Sequence, residues 1–308
     1  MFTEKRRQHH VWRRYLESWC IDGRLHCLRE GRIFPNAPHN LAVESYFYRL
    51  DDLTEEDLAL YRKLLVEKGD SHQKKSHERF LSMMMAPIEM AERLKQHVSN
   101  PKLGPVLEEF LKTYKTNALE DYYAGIEGEF GPILDRLLSG DLTVMSDADA
   151  AVPLFYFLAT QYMRTKRIRE AWLKSFEKAR FSIERILPLL ALQYGENLGR
   201  SLYLDRKKMS SVILDNTTDV AFITGDQPII NLLAVADSPA TELSLYYPLA
   251  PTKALLLSDT GRSLVVTNDS FNEAWAVELN RKIAENSHSQ VFARDVRDLE
   301  PFVDMKTT

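Results

Sequence analysis

The hydrophobic period of this chain changes once, near residue 205, and that change limits its fold more than anything else in it. From Thr54 to Tyr203 apolar residues recur at helical spacing, as in HERFLSMMMAPIEMAERLKQHV, GPVLEEFLKTY and LEDYYAGIEGEFGPILDRLL. From Ser210 the texture shifts to short β-rich runs, SSVIL, VAFIT, PIINLLAV, LSLYYPLA, KALLLS and SLVVT. Turn residues such as Asp215-Asn216, Gly225-Asp226 and Asp259-Thr260-Gly261 bound them. A helical block followed by a strand block implies an α+β fold, the helical middle region packed against a mixed or antiparallel sheet.

The first fifty residues add smaller pieces. QHHVWRRYLESW, residues 8–19, reads as a short amphipathic helix with Val11, Tyr15 and Trp19 on one face. DGRLHCLREGRIF reads as a hairpin punctuated by Asp22-Gly23 and Glu30-Gly31, and AVESYFYRL as a further strand. This hairpin is expected to join the C-terminal sheet. The chain then forms one domain over 1–308: an N-terminal helix and hairpin (1–50), a helical region (51–205), and a β-rich region with a terminal helix near Asn272–Ser287 (206–308). Thr54 is the expected cap of the first long helix, with acidic residues in the turn behind it. Breaks are expected at Asn100-Pro101 and Ser139-Gly140-Asp141. Two helices are expected between Asp149 and Tyr203, broken or kinked at Pro188. Met83, Met84, Met85 and Met90 read as helix core.

Composition narrows function mainly by exclusion. A net charge of −4 exerts no global pull toward nucleic acid or anionic membranes, so such binding needs a local patch. The apolar stretches fall short of the roughly 20 residues of a spanning helix, and no apolar region follows the charged N-terminus. Cys20 and Cys27 match no zinc or redox spacing and fit a reducing compartment. The expected location is cytoplasmic, with no membrane partner. There is no P-loop, GxGxxG, HExxH, GxSxG or paired CxxC.

Four segments hold side chains suited to chemistry. In Gln8-His9-His10 the imidazoles titrate near neutrality, but adjacent helical residues point about 100° apart, so the two serve one metal poorly. In QYMRTKRIR, Gln161, Arg164 and Ile168 share a helix face with Arg169 beside it, offering planar forks for phosphate or carboxylate. From Arg164 to Arg180 seven Lys/Arg face two Glu, a pattern that a solvated helix face also produces. FITGDQP places Asp226 at a strand end, either a rigidly held carboxylate or a turn aspartate. Glu120 and Glu127 lie seven residues apart, two helical turns, and Glu127 is the one singled out.

In this order the segments resemble a largely bacterial family known only as domain of unknown function 4238. Its opening pattern Q-H-Y-V-P-x-x-Y-L-x-x-F corresponds to Gln8 through Trp19, with His10 in place of tyrosine and Trp12 in place of proline. Its Q-x-x-R-T-x-x-x-R corresponds to Gln161, Arg164, Thr165 and Arg169, and its I-T-S-D-N-P to Ile223 through Pro228. A P-L-x-P element stands at Pro248–Pro251, and Leu279-Asn280 falls in the terminal helix. The family is uncharacterised, so the resemblance implies candidate positions and no reaction.

The leading expectation is an intracellular nuclease or phosphoesterase, an effector of phage defence or a toxin-like system, acting on nucleic acid or a nucleotide. His9, Asp226, Glu127 and Arg164 are the candidate catalytic residues; Gln8, His10, Gln161 and Arg169 are candidates for binding substrate. Hard oxygen ligands point to magnesium or manganese if a metal takes part. The rival is a non-catalytic binding or sensor module whose polar centre is a buried ion network. A third reading is a small-molecule hydrolase with Tyr122 and Tyr123 as pocket wall.

Overall fold

Gln8 enters the fold on a strand. The first fifty residues form β1 (Arg7–His9), α1 (Arg13–Leu16) with a 3-10 turn behind it, the hairpin β2 (Leu25–Arg29) and β3 (Arg32–Asn36), and β4 (Val43–Ser45). The helix expected over 8–19 is therefore corrected. Its first residues pair antiparallel with β4, Gln8 opposite Glu44, and helical turns begin at Arg13. The apolar positions still fall inside, since Val11, Tyr15 and Trp19 are all buried. Trp12 caps the entry with φ −57°, a value within the range that proline imposes, so the chain turns into α1 as it would with proline there. Glu30 and Gly31, both at positive φ, make the tight β2–β3 turn.

The computed structural model describes residues 3–97, 100, 102–234, 242–259 and 261–305; Val98, Pro101, Val235 and Thr260 of the segments named above lie outside them. The helical region comprises α2 (Glu55–Tyr61), α3 (Ser71–His97), α4 (Leu103–Leu138), α5 (Ala148–Met163), α6 (Lys166–Phe176) and α7 (Leu187–Asp205). Thr54 caps α2 in a capping box: its hydroxyl accepts from the Asp57 amide, and its own amide donates to the Asp57 carboxylate. The two helices expected after Asp149 are three. Arg164 ends α5, Thr165 stands at the cap of α6, and Pro188 sits in the first turn of α7, where its missing amide proton is not needed. The α5–α7 packing is close because Gly199 carries no side chain: a Cβ there would stand 2.9 Å from the Tyr156 Cα.

The last third holds β5 (Ser210–Asp215), β6 (Thr224–Gly225), β7 (Ile230–Asn231), β8 (Ser244–Ala250), β9 (Lys253–Ser258), α8 (Glu273–Asn286) and β10 (Val291–Ala293). Two four-stranded antiparallel sheets result, in the orders β3-β2-β10-β6 and β5-β9-β8-β7. The N-terminal hairpin thus pairs with the C-terminal strand, Leu28 opposite Val291. SLVVT forms no strand. The Asn268 side chain just beyond it bonds the Ile213 carbonyl and the Asp215 amide, and so closes the β5 edge by itself. One core cluster links all three regions, from Tyr15 and Trp19 through the stacked rings of Phe130 and Phe157, 3.8 Å apart, to Tyr247 and Phe292. Met84 is buried as expected, whereas Met83 and Met90 are exposed. No helix among the described residues is long and apolar enough to cross a membrane.

Candidate functional site

Side chains alternate along β1, so Gln8 points inward and its neighbour His9 lies half-buried. Gln8 has no exposed surface. Its Nε2 donates to the Thr116 carbonyl at 2.6 Å and its Oε1 accepts the Tyr48 amide at 2.6 Å. Both ends of the amide are occupied by main chain, so Gln8 fastens β1 to α4 and is closed to a ligand.

His9 reaches a cavity of about 230 Å³ that Trp12, Arg13, Arg14, Glu120, Tyr123 and Glu127 also line. Three elements build it. β1 supplies the histidine, α1 with its cap supplies Trp12 and the two arginines, and one face of α4 supplies the carboxyls and the tyrosine. Burial lowers the His9 pKa, opposed by its bond to the His39 carbonyl (Nε2···O 3.3 Å) and reinforced by Arg13, Arg7 and Arg164. Burial thus favours the neutral imidazole, and with Nε2–H turned to that carbonyl its lone pair lies on Nδ1. Burial pushes Glu120 up to about 7, with Arg164 opposing and Glu127 adding to the rise. Burial likewise raises Glu127, against the pull of Arg164.

Arg164 lies under this wall, only 3% exposed. Its Nη2 donates to Glu127 Oε1 at 2.6 Å and to Gln161 Oε1 at 2.6 Å, and its guanidinium carbon lies 5.0 Å from the Tyr123 ring centre. Burial works against its charge, but Glu127, Tyr48 and Tyr123 together outweigh that effect and hold the pKa above its ordinary value. Gln161 completes the link by donating to the His10 carbonyl at 2.9 Å. The motif straddles the break between α5 and α6; it does not lie on one helix face. Gln161 lies in the last turn of the first helix, Arg164 caps its end at the break, and Arg169 lies on the second, donating to the Phe47 carbonyl at 2.9 Å.

The other candidates lie outside the cavity wall. His10 is fully buried against Phe47, ring centres 5.3 Å apart, with no hydrogen-bond partner at Nδ1 among the described residues. Burial drives its pKa down to about 3. Asp226, 1% exposed, accepts the amides of His288, Ser289 and Gln290 at 2.6–3.0 Å together with the Ser289 hydroxyl at 3.0 Å. That carboxylate clamps the turn from α8 into β10. It is buried and does not line the cavity that His9 reaches.

The structure therefore puts His9 and Glu127 on one cavity wall with Arg164 bonded to Glu127, places Arg169 with Arg164 in a separate small pocket, and leaves Asp226 and His10 elsewhere. Glu120, Arg13 and Arg14 were not singled out. The seven-residue spacing from Glu120 to Glu127 was the available signal for the first, and neither arginine belongs to a motif. No group of three or more His, Cys, Asp or Glu among the described residues is placed to hold a metal ion. A family model described as "Protein of unknown function (DUF4238)" matches residues 7–297. No curated protein and no solved structure matches the chain.

Proposed function

Because the chain belongs to the DUF4238 family, whose function is unknown, we propose an activity from its own side chains: hydrolysis of phosphoesters, as a nuclease or phosphoesterase, in the cavity of His9, Glu120 and Glu127. One observation carries this reading. A neutral imidazole and a carboxyl with a pKa of about 7 share a single cavity. General acid–base catalysis is most effective when the catalytic pKa values lie near the working pH.

In the proposed reaction His9 Nδ1 takes a proton from water as the water oxygen bonds to phosphorus. The bond from phosphorus to the leaving oxygen breaks, and protonated Glu120 gives that oxygen its proton. Glu127, oriented by Arg164, lies beside the imidazolium that forms and stabilises it. Arg13 and Arg14 face the charge that develops on the phosphoryl oxygens. Nucleic acid or a nucleotide is the proposed substrate. The proposed setting is the cytoplasm, as an effector of phage defence or a toxin-like system.

The test is incubation of the protein with labelled RNA, single-stranded DNA and duplex DNA, with magnesium, manganese or chelator. Cleavage that vanishes in His9→Ala and Glu120→Gln, with neither variant melting below the unmodified chain, supports the proposal. No cleavage by the unmodified chain under any condition removes it.

A second reading has its own observation. Gln8 and Asp226 are saturated chiefly by main-chain groups, and Gln161 by a carbonyl and Arg164, as in a centre that fixes helices onto a sheet. Under that reading the chain is a binding or sensor module, no condition reveals cleavage, and substituting the histidine or arginine of the centre lowers the melting temperature by several degrees.

A further inference from the structure

Gly131 lies inside α4, where glycine weakens a helix relative to alanine. The space beside it is taken by Arg14: a Cβ at position 131 would stand 2.6 Å from Arg14 Nη1 and 4.0 Å from the Trp12 ring. The guanidinium thus rests against bare helix backbone. One turn further along α4, Asp135 accepts from Arg14 Nη2 with both carboxylate oxygens at 2.8 Å. The Trp12 ring supports it from a third side, 5.8 Å from the guanidinium carbon. Nε and Nη1 make no hydrogen bond among the described residues, and the side chain stays 44% exposed on the cavity wall.

Stability does not explain this seat. An exposed ion pair such as Arg14–Asp135 contributes no more than a glycine in a helix interior forfeits. What the seat does provide is a guanidinium whose orientation is set before any ligand arrives, and preset donors bind anions with less ordering loss.

We infer that Gly131, Trp12 and Asp135 hold Arg14 as a preset phosphate-binding fork on the wall of the cavity, with Arg13, ion-paired with Glu17 at 3.8 Å, as a second cation of the same wall. The inference rests on the hydrolase reading for its substrate class and deepens it. The phosphate is received by Arg14 and not by Arg164 or Arg169, whose guanidinium groups are committed to Glu127, Gln161 and the Phe47 carbonyl.

Position 131 offers a clean test, because a methyl there displaces only the flexible end of one side chain. Binding of a short fluorescent single-stranded RNA is followed by anisotropy in a His9→Ala background, with inorganic phosphate and AMP as competitors. Gly131→Ala is expected to weaken binding roughly tenfold or more while the melting temperature stays level or rises, alanine being the better helix former. Arg14→Ala is expected to match it. The double variant should bind no more weakly than Arg14→Ala alone, since the glycine acts only through the arginine. Displacement by phosphate or by AMP supports the fork and tells which part of the ligand it reads.

Gly131→Ala binding like its parent overturns the inference, as does a parent that binds none of the three probes. Full cleavage activity in Gly131→Ala with His9 intact overturns the fork alone. The expected binding pattern without any cleavage removes the hydrolase reading and leaves the fork standing.

Discussion

Nη2 of Arg164 lies 2.6 Å from Oε1 of Glu127, and of the two only the carboxylate lines the cavity. A buried charge is therefore tied to a carboxylate of the cavity wall. Removing one partner strands the other in a low-dielectric place. Arg164→Met should lower unfolding stability by about 3–5 kcal/mol, and the double variant Arg164→Met/Glu127→Gln should recover most of that loss. Urea denaturation of the four species measures the coupling; a double-variant loss equal to the sum of the two single losses would show that the pair contributes nothing.

Asp226 should behave as a structural residue. Asp226→Ala leaves the amides of His288, Ser289 and Gln290 without their acceptor, an expected loss of about 3 kcal/mol or more. Any fall in activity should then track the folded fraction. Lost activity in a variant that melts like the unmodified chain would return Asp226 to the chemistry.

His10 makes the fold acid-sensitive. Its folded pKa, about 3, lies below the ordinary value of 6.5, so the unfolded chain binds the extra proton. The stability linked to it is complete above pH 6.5 and is lost as pH falls toward 3, roughly 5 kcal/mol in all. His10→Phe should flatten that part of the stability–pH curve, whatever its effect at neutral pH.

Glu120 acts in the opposite direction. Its folded pKa, about 7, lies above the ordinary 4.5, so its contribution is complete below pH 4.5 and is lost as pH rises through 7. Glu120→Gln should gain on the unmodified chain by an amount on the order of 3 kcal/mol at pH 8, and by nothing at pH 4. Melting temperatures of the two proteins across that range give the comparison directly. The same ionisation should shut down turnover above pH 7 if Glu120 is the general acid.

A chain cut after residue 205 lacks β10, the strand on which the N-terminal hairpin depends. We expect it to show helical circular dichroism without a cooperative unfolding transition. Cooperative melting of that fragment would divide the chain into separate domains.

Much of the architecture was legible in the sequence because the hydrophobic period switches cleanly, and the Thr54 cap and the hairpin turn at Glu30-Gly31 carry local signals. The opening segment was misread because Val11, Tyr15 and Trp19 have helical spacing although the residues before Arg13 are drawn into a strand by β4. No pattern within residues 8–19 reports a partner some thirty residues away. Motif matching found Gln8, Gln161 and Asp226 but could not tell a saturated amide or carboxylate from a reactive one, since that depends on which carbonyls and amides fold over it. Glu120 escaped for the converse reason: its raised pKa comes from burial, which a helix face in isolation does not reveal.

The antiparallel pairing of Leu28 with Val291 also sets a timetable. At roughly 5–20 residues per second of synthesis, the hairpin leaves the ribosome tens of seconds before its partner strand exists. During that interval one edge of β2 is unpaired and able to accept a strand from another nascent chain. The finished chain buries that edge under its own last strand. Synthesis is thus a period of exposure for this fold, and shielding of the unpaired hairpin by a chaperone should raise its yield.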